Sequence, residues 1–262
     1  MTDSKMKTLI ILPTYKEQKT LPLVIEKILK HEGFDILVID DNSPDGTGEI
    51  AREWTRRDSR VNLIERPQKL GLGTAYVTGF KWGLEHDYGC FIEMDSDLSH
   101  DPSDLPRLVE EINNGNDLVI GSRYMRGTIS VVGWDFHRLL LSKFGNFYAT
   151  SILGVPLTDI TGGFRAYSRK GLSALNLDGI HSEGYSFQIE LAYLIWYAGL
   201  NIREISIIFT ERAHGGSKMS GNIITEAVKL PWRLKTSEIW NRFKGLFVFK
   251  SKESYNRKGT RL

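Results

Sequence analysis

Two carboxylates one residue apart are the side chains of this sequence best suited to chemistry. Asp95 and Asp97 flank Ser96 and directly follow an apolar run, residues 88–94, with the composition of a buried strand. Carboxylates at a strand end can hold a hard divalent cation, which takes further oxygen ligands from water and from substrate phosphates. Two acids at a strand end can also form an ordinary solvated loop. The triplet therefore predicts a metal site only together with other polar groups nearby.

Polar residues also follow the other apolar runs of the first half. The runs are residues 8–12 before Pro13, 36–39 before Asp40, 88–94 before Asp95, and 118–120 before Arg123. Helix-length segments separate them, which indicates right-handed βαβ crossovers and an α/β fold whose mostly parallel sheet is flanked by helices. Ligands of such sheets bind beyond the carboxyl ends of the strands. The spacing predicts one cleft that collects these scattered residues.

The remaining segments complete the predicted order of elements. Thr20 is a candidate cap for a helix with apolar residues at helical spacing. Further helices are expected after Gly46 and over residues 74–85, 103–113, 134–153, 186–197 and 223–243, and strands over 61–64 and 202–209. Pro231 should kink the last helix. Residues 159–166 contain Thr161-Gly162-Gly163 and are expected to form a turn rather than an element.

Asp40 has two interpretations that the sequence does not separate. Its carboxylate could accept hydrogen bonds from a ribose, or it could cap the turn of residues 42–46, a role for which Asp41 and Asp45 are equally suited. The glycine-rich stretch of residues 69–75 could let the backbone approach a ligand closely. Because Tyr76 stands where a third glycine belongs, this stretch is not a nicotinamide-dinucleotide fingerprint.

Basic residues near glycines and loop signals could grip phosphates. Guanidinium binds phosphate through two parallel hydrogen bonds, and ammonium acts as a point charge. The candidates are Arg123, Arg138, Arg165, Arg212 and Lys218. Any one of them alone could equally be a solvated surface charge.

Other chemistries lack support. Cys90 is the only cysteine, which excludes an intramolecular disulfide and favours a buried thiol in a reducing compartment. The six histidines show no metal-ligand spacing, and no serine has the local signature of an activated nucleophile.

Charge is unevenly distributed along the chain. Residues 229–262 contain ten Lys or Arg and two Glu, whereas the remaining residues are net acidic. A basic tail on an acidic body suits an anionic surface, either nucleic acid or anionic lipid. We find no signal-peptide pattern, and no apolar stretch approaches the roughly 20 residues of a membrane span.

The ordered motifs of residues 7–225 resemble those of dolichol-phosphate mannosyltransferases. The matching blocks are Pro13-Thr14-Tyr15-Lys16-Glu17, residues 40–47, 71–76 and 93–100, Gly121-Ser122-Arg123-Tyr124, and residues 159–165, 184–188 and 210–221. The last block is especially similar to bacterial polyprenol-phosphate mannose synthases. The resemblance implies a GT-A fold of glycosyltransferase family 2, inverting chemistry, GDP-mannose as donor, a polyprenyl monophosphate as acceptor, and Mg²⁺ or Mn²⁺.

By position, the resemblance also implies roles for individual residues. Guanosine would be held by Pro13, Tyr15, Glu17, Val38 and Asp40. The metal and diphosphate would be bound by Asp95, Ser96 and Asp97, with Ser99 where some members have a Gln metal ligand. Phosphates would be neutralised by Arg123, Arg212 and Lys218, and the acceptor phosphate would be received by Arg138 and Ser142. Asp95, Asp97 and Arg123 are the expected catalytic residues.

Three alternatives remain open at this point. A sister enzyme would use UDP-glucose or UDP-N-acetylglucosamine on the same lipid, a nucleotidyltransferase would also use paired acids, and a nucleic-acid-binding protein would use the basic tail. The acidic cleft argues against the last, and we expect no nucleic-acid partner.

The acceptor lipid implies contact with a membrane. We expect a glycosyltransferase domain over residues 1–221, an amphipathic helical appendage over 222–250 that contacts the membrane interface, and a flexible basic tail over 251–262. Packing of that helix on the protein's own body is the alternative. The expected location is the cytoplasmic face of a membrane, reached directly or through a small membrane-anchored partner.

Overall fold

The computed structural model describes residues 6–125, 127–211 and 221–243, with only the backbone described for residues 221–224 and 238–243. Its strands are β1 Thr8–Thr14, β2 Phe34–Asp40, β3 Val61–Glu65, β4 Cys90–Glu93, β5 Leu118–Ser122, β6 Val131–Val132, β7 Arg165–Ser168, β8 Ile202–Ser206 and β9 Phe209–Thr210. Its helices are α1 Leu21–Leu29, α2 Thr47–Arg57, α3 Leu72–Glu85, α4 Leu105–Asn113, α5 Phe136–Leu153, α6 Arg169–Ser173, α7 Tyr185–Tyr197 and α8 Gly221–Phe243.

Seven strands form one sheet in the order β3-β2-β1-β4-β7-β5-β8. All of its pairings are parallel except those of β7, which runs antiparallel to both β4 and β5. The predicted mostly parallel sheet is therefore confirmed, and the carboxyl ends of β1, β2, β4 and β5 lie along one edge. Because β7 runs the other way, the residues before Arg165 reach that same edge.

Two of the predicted elements are wrong. Residues 165–168 form β7, an interior strand of the sheet, rather than part of a turn, because four residues between glycines and a helix are too short to show a periodic pattern. The single strand expected over residues 202–209 is two strands. Only β8 joins the main sheet, and β9 pairs with β6 in a separate two-stranded sheet.

Helices cover both faces of the sheet. On one face the core contains apolar side chains of α1, α2 and α4, and on the other it contains those of α3, α5, α7 and α8. Strands buried on both faces explain the continuous apolar runs of β1 and β2. Thr20 precedes α1 as expected but makes no capping bond, because its hydroxyl donates to Glu17 Oε2 at 3.0 Å.

Helix α8 packs on the rest of the protein. Leu230 and Leu234 are buried against α5 and α7, and the Tyr148 hydroxyl donates a hydrogen bond to the carbonyl of Val228 at 3.0 Å. Among the described helices, none combines the length and hydropathy of a membrane span. The division of the chain at residue 221 stays a prediction, and residues 251–262 lie outside the described residues.

Candidate active site

A cleft of about 410 Å³ opens at the carboxyl edge of the sheet. It collects residues from the ends of β1, β4 and β5, from the start of β7, and from α3, α5 and α7. The predicted site residues that line it are Pro13, Tyr15, Glu17, Asp95, Ser96, Asp97, Arg123 and Arg138. The sheet therefore brings together eight residues that are spread over more than 120 positions of sequence.

The acidic triplet is fixed to the sheet by its neighbours. The hydroxyl of Ser96 donates to the carbonyl of Pro13 at 3.0 Å, which links the end of β4 to the end of β1. Asp97 Oδ1 accepts a hydrogen bond from the backbone N–H of Ser99 at 3.0 Å. Leu98 between them has a φ of 66°, a left-handed conformation that is uncommon for a non-glycine residue. This tight turn holds the Asp97 carboxylate in the cleft.

Ser99 itself is placed differently from Asp95 and Asp97. Its side chain is buried outside the residues that line the cleft, and its hydroxyl has no hydrogen-bond partner among the described residues. No three His, Cys, Asp or Glu side chains of the described residues are grouped as a metal site. The two carboxylates are thus suited to a cation that takes its other ligands from a bound diphosphate.

Two of the residues expected at the guanosine end do not line the cleft. Val38 belongs to β2, and its side chain is buried in the core formed with α1, α2 and α4. Asp40 accepts hydrogen bonds from Thr14 Oγ1 at 2.8 Å and from the N–H and hydroxyl of Ser43 at 2.9 and 2.6 Å. Asp40 therefore fixes the turn after β2, and its predicted contact with a ribose stays a prediction. Lys69, whose Nζ lies 4.5 Å from the Tyr15 ring centre, lines the cleft, although the sequence indicated only the backbone of its glycine-rich stretch and not this side chain.

The guanidinium of Arg123 forms a salt bridge with Asp159 at the cleft. Its Nε and Nη2 donate to the two carboxylate oxygens of Asp159 at 2.7 and 2.6 Å, and Nη2 also donates to Thr161 Oγ1. Both side chains are almost fully buried. Burial alone would raise the pKa of Asp159, but the charge and hydrogen bonds of Arg123 lower it, so the pair is ionised. Arg123 therefore supplies a fixed dipole rather than an uncompensated charge.

Arg138 and Ser142 lie one turn apart on α5. The N-terminus of α5 is capped by Asp135, whose carboxylate accepts from the backbone N–H of Arg138 at 2.8 Å. The Arg138 guanidinium lies 4.3 Å from the ring centre of Trp134, and its Nη1 donates to Glu211 Oε1 at 2.7 Å. Ser142 accepts a hydrogen bond from the Tyr124 hydroxyl at 2.8 Å and does not line the cleft.

Of the remaining basic candidates, Arg165 is described by the structure and Arg212 and Lys218 are not. Arg165 is fully buried, and its guanidinium donates to the carbonyls of Ile160, Gly162 and Gln188, so its role is structural. Arg212 and Lys218 lie outside the described residues. Their predicted contacts with phosphates stay predictions.

The glycine-rich stretch is in close contact with the loop before α7. The carboxylate of Glu183 accepts a hydrogen bond from the N–H of Gly73 at 3.0 Å, at the start of α3. A Cβ at Gly71 would lie 2.5 Å from Glu183 Oε2, and one at Gly73 would lie 2.5 Å from the carbonyl oxygen of Ser182. Burial raises the pKa of Glu183, although these backbone hydrogen bonds oppose it. The glycines therefore allow the loop before α7 to form one wall of the cleft.

A buried polar network lies beneath the cleft at the end of β4. Glu93 is fully buried and accepts hydrogen bonds from the Tyr167 hydroxyl at 3.0 Å and from Gln188 Nε2 at 2.8 Å. Burial raises the pKa of Glu93 to about 7, against the lowering effects of Arg165, Gln188 and Tyr167. Asp159, Glu183 and Gln188 lie in or next to recognisable motifs, but their roles depend on contacts between segments that the sequence pattern does not reveal.

Comparison with known proteins decides the family. The profile of glycosyl transferase family 2 matches residues 9–175. This chain belongs to glycosyltransferase family 2. It is 46% identical to a polyprenol monophosphomannose synthase of Mycolicibacterium smegmatis over 85% of the chain and 84% of that protein. It is also 46% identical to an undecaprenyl-phosphate mannosyltransferase of Micrococcus luteus, over 85% of the chain and 91% of that protein. The predicted resemblance is confirmed, and the protein is a glycosyltransferase.

Solved structures support the fold of this glycosyltransferase. Glucosyl-3-phosphoglycerate synthase from Mycobacterium tuberculosis in complex with UDP aligns with a TM-score of 0.62 at 22% identity, covering 87% of this chain and 81% of that one. A complex of that enzyme with Mn²⁺, UDP and glucosyl-3-phosphoglycerate aligns with a TM-score of 0.63 at 20% identity, covering 88% of this chain and 80% of that one. The predicted GT-A type of fold is confirmed.

Proposed function

We propose that this glycosyltransferase transfers mannose from GDP-mannose to a polyprenyl monophosphate, with inversion, to give a polyprenyl-phosphate β-mannose. The similarity to two enzymes named for mannose transfer to polyprenol or undecaprenyl phosphate carries the proposal. The layout of the cleft supports it. From β1 towards α5, the lining changes from Pro13 and Tyr15, through Asp95 and Asp97, to Arg138. That order suits a nucleotide, a diphosphate and an acceptor phosphate in turn.

The reaction needs no strong general base. An oxygen of the acceptor phosphate is already anionic near neutral pH and attacks the anomeric carbon as the bond to the diphosphate breaks, which releases GDP. The protein's part is to bring two anions together and to stabilise the departing diphosphate. Tyr15 and Glu17 would hold the nucleotide, and the Arg123–Asp159 pair would orient donors towards the reacting phosphates.

The residues present fit Mg²⁺ or Mn²⁺. Asp95 and Asp97 offer oxygen ligands in the cleft, and the diphosphate would complete the set. A bound divalent ion would neutralise charge that develops on the leaving diphosphate. Ser99, with its hydroxyl buried outside the cleft lining, would contribute mainly through its N–H, which positions Asp97.

The acceptor would arrive from a membrane surface, and α5 offers the means of contact. From its cleft end, where Arg138 lies, α5 exposes five large apolar side chains to solvent: Phe136, Leu140, Leu141, Phe144 and Phe147. Their spacing of three, four and seven places them along one side of the helix. Val228 and Trp232 of α8 are also exposed, and the Trp232 indole donates to the Tyr148 hydroxyl of α5 at 3.0 Å. We therefore extend the predicted membrane contact from residues 222–250 to include α5.

A donor screen tests the proposed function. Purified protein is incubated with Mg²⁺ or Mn²⁺, undecaprenyl phosphate in detergent, and radiolabelled GDP-mannose, UDP-glucose or UDP-N-acetylglucosamine. We expect a labelled glycolipid and free GDP from GDP-mannose, with little product from either UDP sugar. Glycolipid from a UDP sugar in preference to GDP-mannose would replace the proposed donor. Release of mannose 1-phosphate instead of GDP would replace the reaction class by nucleotidyl transfer.

A further inference from the structure

The two-stranded sheet of β6 and β9 brings two cleft residues together. The strands pair in parallel, and the N–H of Glu211 extends the pairing by donating to the carbonyl of Val132 at 2.9 Å. Trp134 follows β6 by two residues, and Glu211 follows β9 directly. Because parallel strands end at the same edge of a sheet, Trp134 and Glu211 leave it at one edge. Both residues line the cleft.

Both residues also contact Arg138. The Arg138 guanidinium lies over the indole of Trp134, 4.3 Å from the ring centre, within the range of a cation–π interaction. Glu211 Oε1 accepts a hydrogen bond from Arg138 Nη1 at 2.7 Å. Gly133, with a φ of 90°, leaves room for Glu211, since an added Cβ at Gly133 would lie 2.9 Å from Glu211 Cβ. The guanidinium is therefore held by an indole ring and by a carboxylate.

Arg123, another arginine of the cleft, depends less on Trp134. Its guanidinium also lies near the indole, 5.4 Å from the ring centre. Arg123 is almost fully buried, however, and donates to both carboxylate oxygens of Asp159 and to Thr161. The side chain of Arg138 is 30% exposed. We therefore expect removal of the indole to free Arg138 and to leave Arg123 in place.

An arginine that is held before its ligand arrives binds that ligand more tightly. A free arginine side chain has many rotamers, and ordering it on binding costs about two- to tenfold in affinity. A carboxylate such as that of Glu211 restrains the guanidinium but repels a phosphate. The indole of Trp134 carries no charge, so it can restrain Arg138 without this repulsion.

We propose that Trp134 is a positioning residue for the acceptor, because its indole orders the Arg138 guanidinium before the acceptor phosphate binds. This rests on the proposed function, since it needs an acceptor phosphate at Arg138. Phe209 of β9 supports the indole, with the two ring centres 5.4 Å apart and the rings at 70°. Trp134 also directly precedes Asp135, the cap of α5, so a purely structural role at the start of this helix is the alternative.

The test compares an aliphatic with an aromatic replacement of Trp134. Trp134→Leu removes the ring, and Trp134→Phe keeps a smaller one. KM is measured for undecaprenyl phosphate in detergent and for GDP-mannose. We expect Trp134→Leu to raise the KM for undecaprenyl phosphate about fivefold, Trp134→Phe to raise it less, and both to keep the wild-type KM for GDP-mannose. If Trp134→Leu does not fold, the two KM values of Trp134→Phe decide.

Trp54→Leu is the matched control. Trp54 of α2 is another half-buried indole near an arginine, with the Arg57 guanidinium 5.8 Å from its ring centre, and it does not line the cleft. This variant should keep both KM values.

Three results would overturn the proposal. They are an unchanged KM for undecaprenyl phosphate in the Trp134 variants, the same rise in Trp134→Phe as in Trp134→Leu, and an equal rise in the KM for GDP-mannose. The last would indicate the structural role at the start of α5. Failure of the proposed function is seen separately, because the wild-type enzyme itself would then make no glycolipid from GDP-mannose.

Discussion

At the scale of single residues, a substitution of Asp97 can distinguish its proposed catalytic role from a purely structural one. Its Oδ1 accepts from the N–H of Ser99, and Asn could keep this hydrogen bond while removing the negative charge. We expect Asp97→Asn to lower kcat by about 10²–10³-fold, the range seen when one preorganised electrostatic group is lost from an active site. The thermal midpoint should stay near the wild-type value.

Asp101→Asn provides the control for that experiment. Asp101 is an exposed carboxylate four residues further on, where it accepts from the N–H of Ser103 at 3.0 Å outside the cleft. Its substitution should leave kcat unchanged. Glycolipid formation by Asp97→Asn at the wild-type rate would remove Asp97 from the proposed mechanism.

Glu93 gives the protein a pH-dependent stability. Burial raises the pKa of Glu93 from 4.5 to about 7, so the folded state holds a proton that the unfolded chain has released. The free energy of unfolding that this group contributes is fully present below pH 4.5. It is lost as the pH rises towards about 7. Urea unfolding of wild type and Glu93→Gln at several pH values in this window should show a downward slope with pH that the variant lacks. Equal slopes would contradict the raised pKa.

At the scale of elements, the glycines of α3 set how closely this helix approaches the sheet. A Cβ at Gly79 would lie 2.7 Å from Ile11 Cγ2, and one at Gly83 would lie 2.6 Å from the Phe91 ring. Gly79→Ala should therefore overpack the interface between α3 and β1 and lower the free energy of unfolding by about 1–3 kcal/mol. Urea denaturation measures the change.

For Gly145, another glycine within a helix, we expect substitution by alanine to stabilise the protein rather than to destabilise it. It lies within α5, and a Cβ there would meet nothing within 4 Å. Gly145→Ala should raise the free energy of unfolding by up to about 1 kcal/mol, because alanine favours the helix. A destabilisation by Gly145→Ala as large as that by Gly79→Ala would show that helix geometry, rather than the close approach of α3, is responsible.

The elements also show how far sequence reasoning reaches. Strands β1, β2, β4 and β5 were predicted because each is a continuous apolar run that ends in polar residues, and parallel topology then placed those ends at one edge. The partners of the site residues were not predicted. Asp159 is 36 positions from Arg123, and Glu183 is 110 positions from Gly73. Such pairs depend on tertiary packing, which also turns Arg165 from a phosphate candidate into a structural residue.

At the scale of the whole molecule, the candidate active-site cleft and the exposed apolar side chains of α5 share one helix. Arg138 lies at the first turn of α5 in the cleft, while Phe144 and Phe147 further along are 63% and 69% exposed. A lipid phosphate bound near Arg138 could thus enter the cleft while its chain stays at the membrane surface. Lys143 of α5 and Lys229 and Arg233 of α8 are exposed cations suited to anionic headgroups.

This arrangement predicts that membrane binding and activity depend on the apolar side of α5. Phe144→Glu with Phe147→Glu would replace apolar contact by charge repulsion from anionic lipid. We expect this variant to lose at least about tenfold in affinity for vesicles of phosphatidylcholine and phosphatidylglycerol, measured by co-sedimentation, since each buried aromatic side chain contributes roughly 1.5–3 kcal/mol. Leu23→Glu is the control for this variant. Leu23 is an apolar residue of α1 that is 47% exposed, and α1 lies on the face of the sheet opposite α5. Transfer to a short, detergent-soluble acceptor should survive in both variants, whereas transfer to acceptor embedded in vesicles should fail only in the α5 variant. Unchanged sedimentation of the α5 variant would show that the protein reaches its lipid by another surface or through a partner.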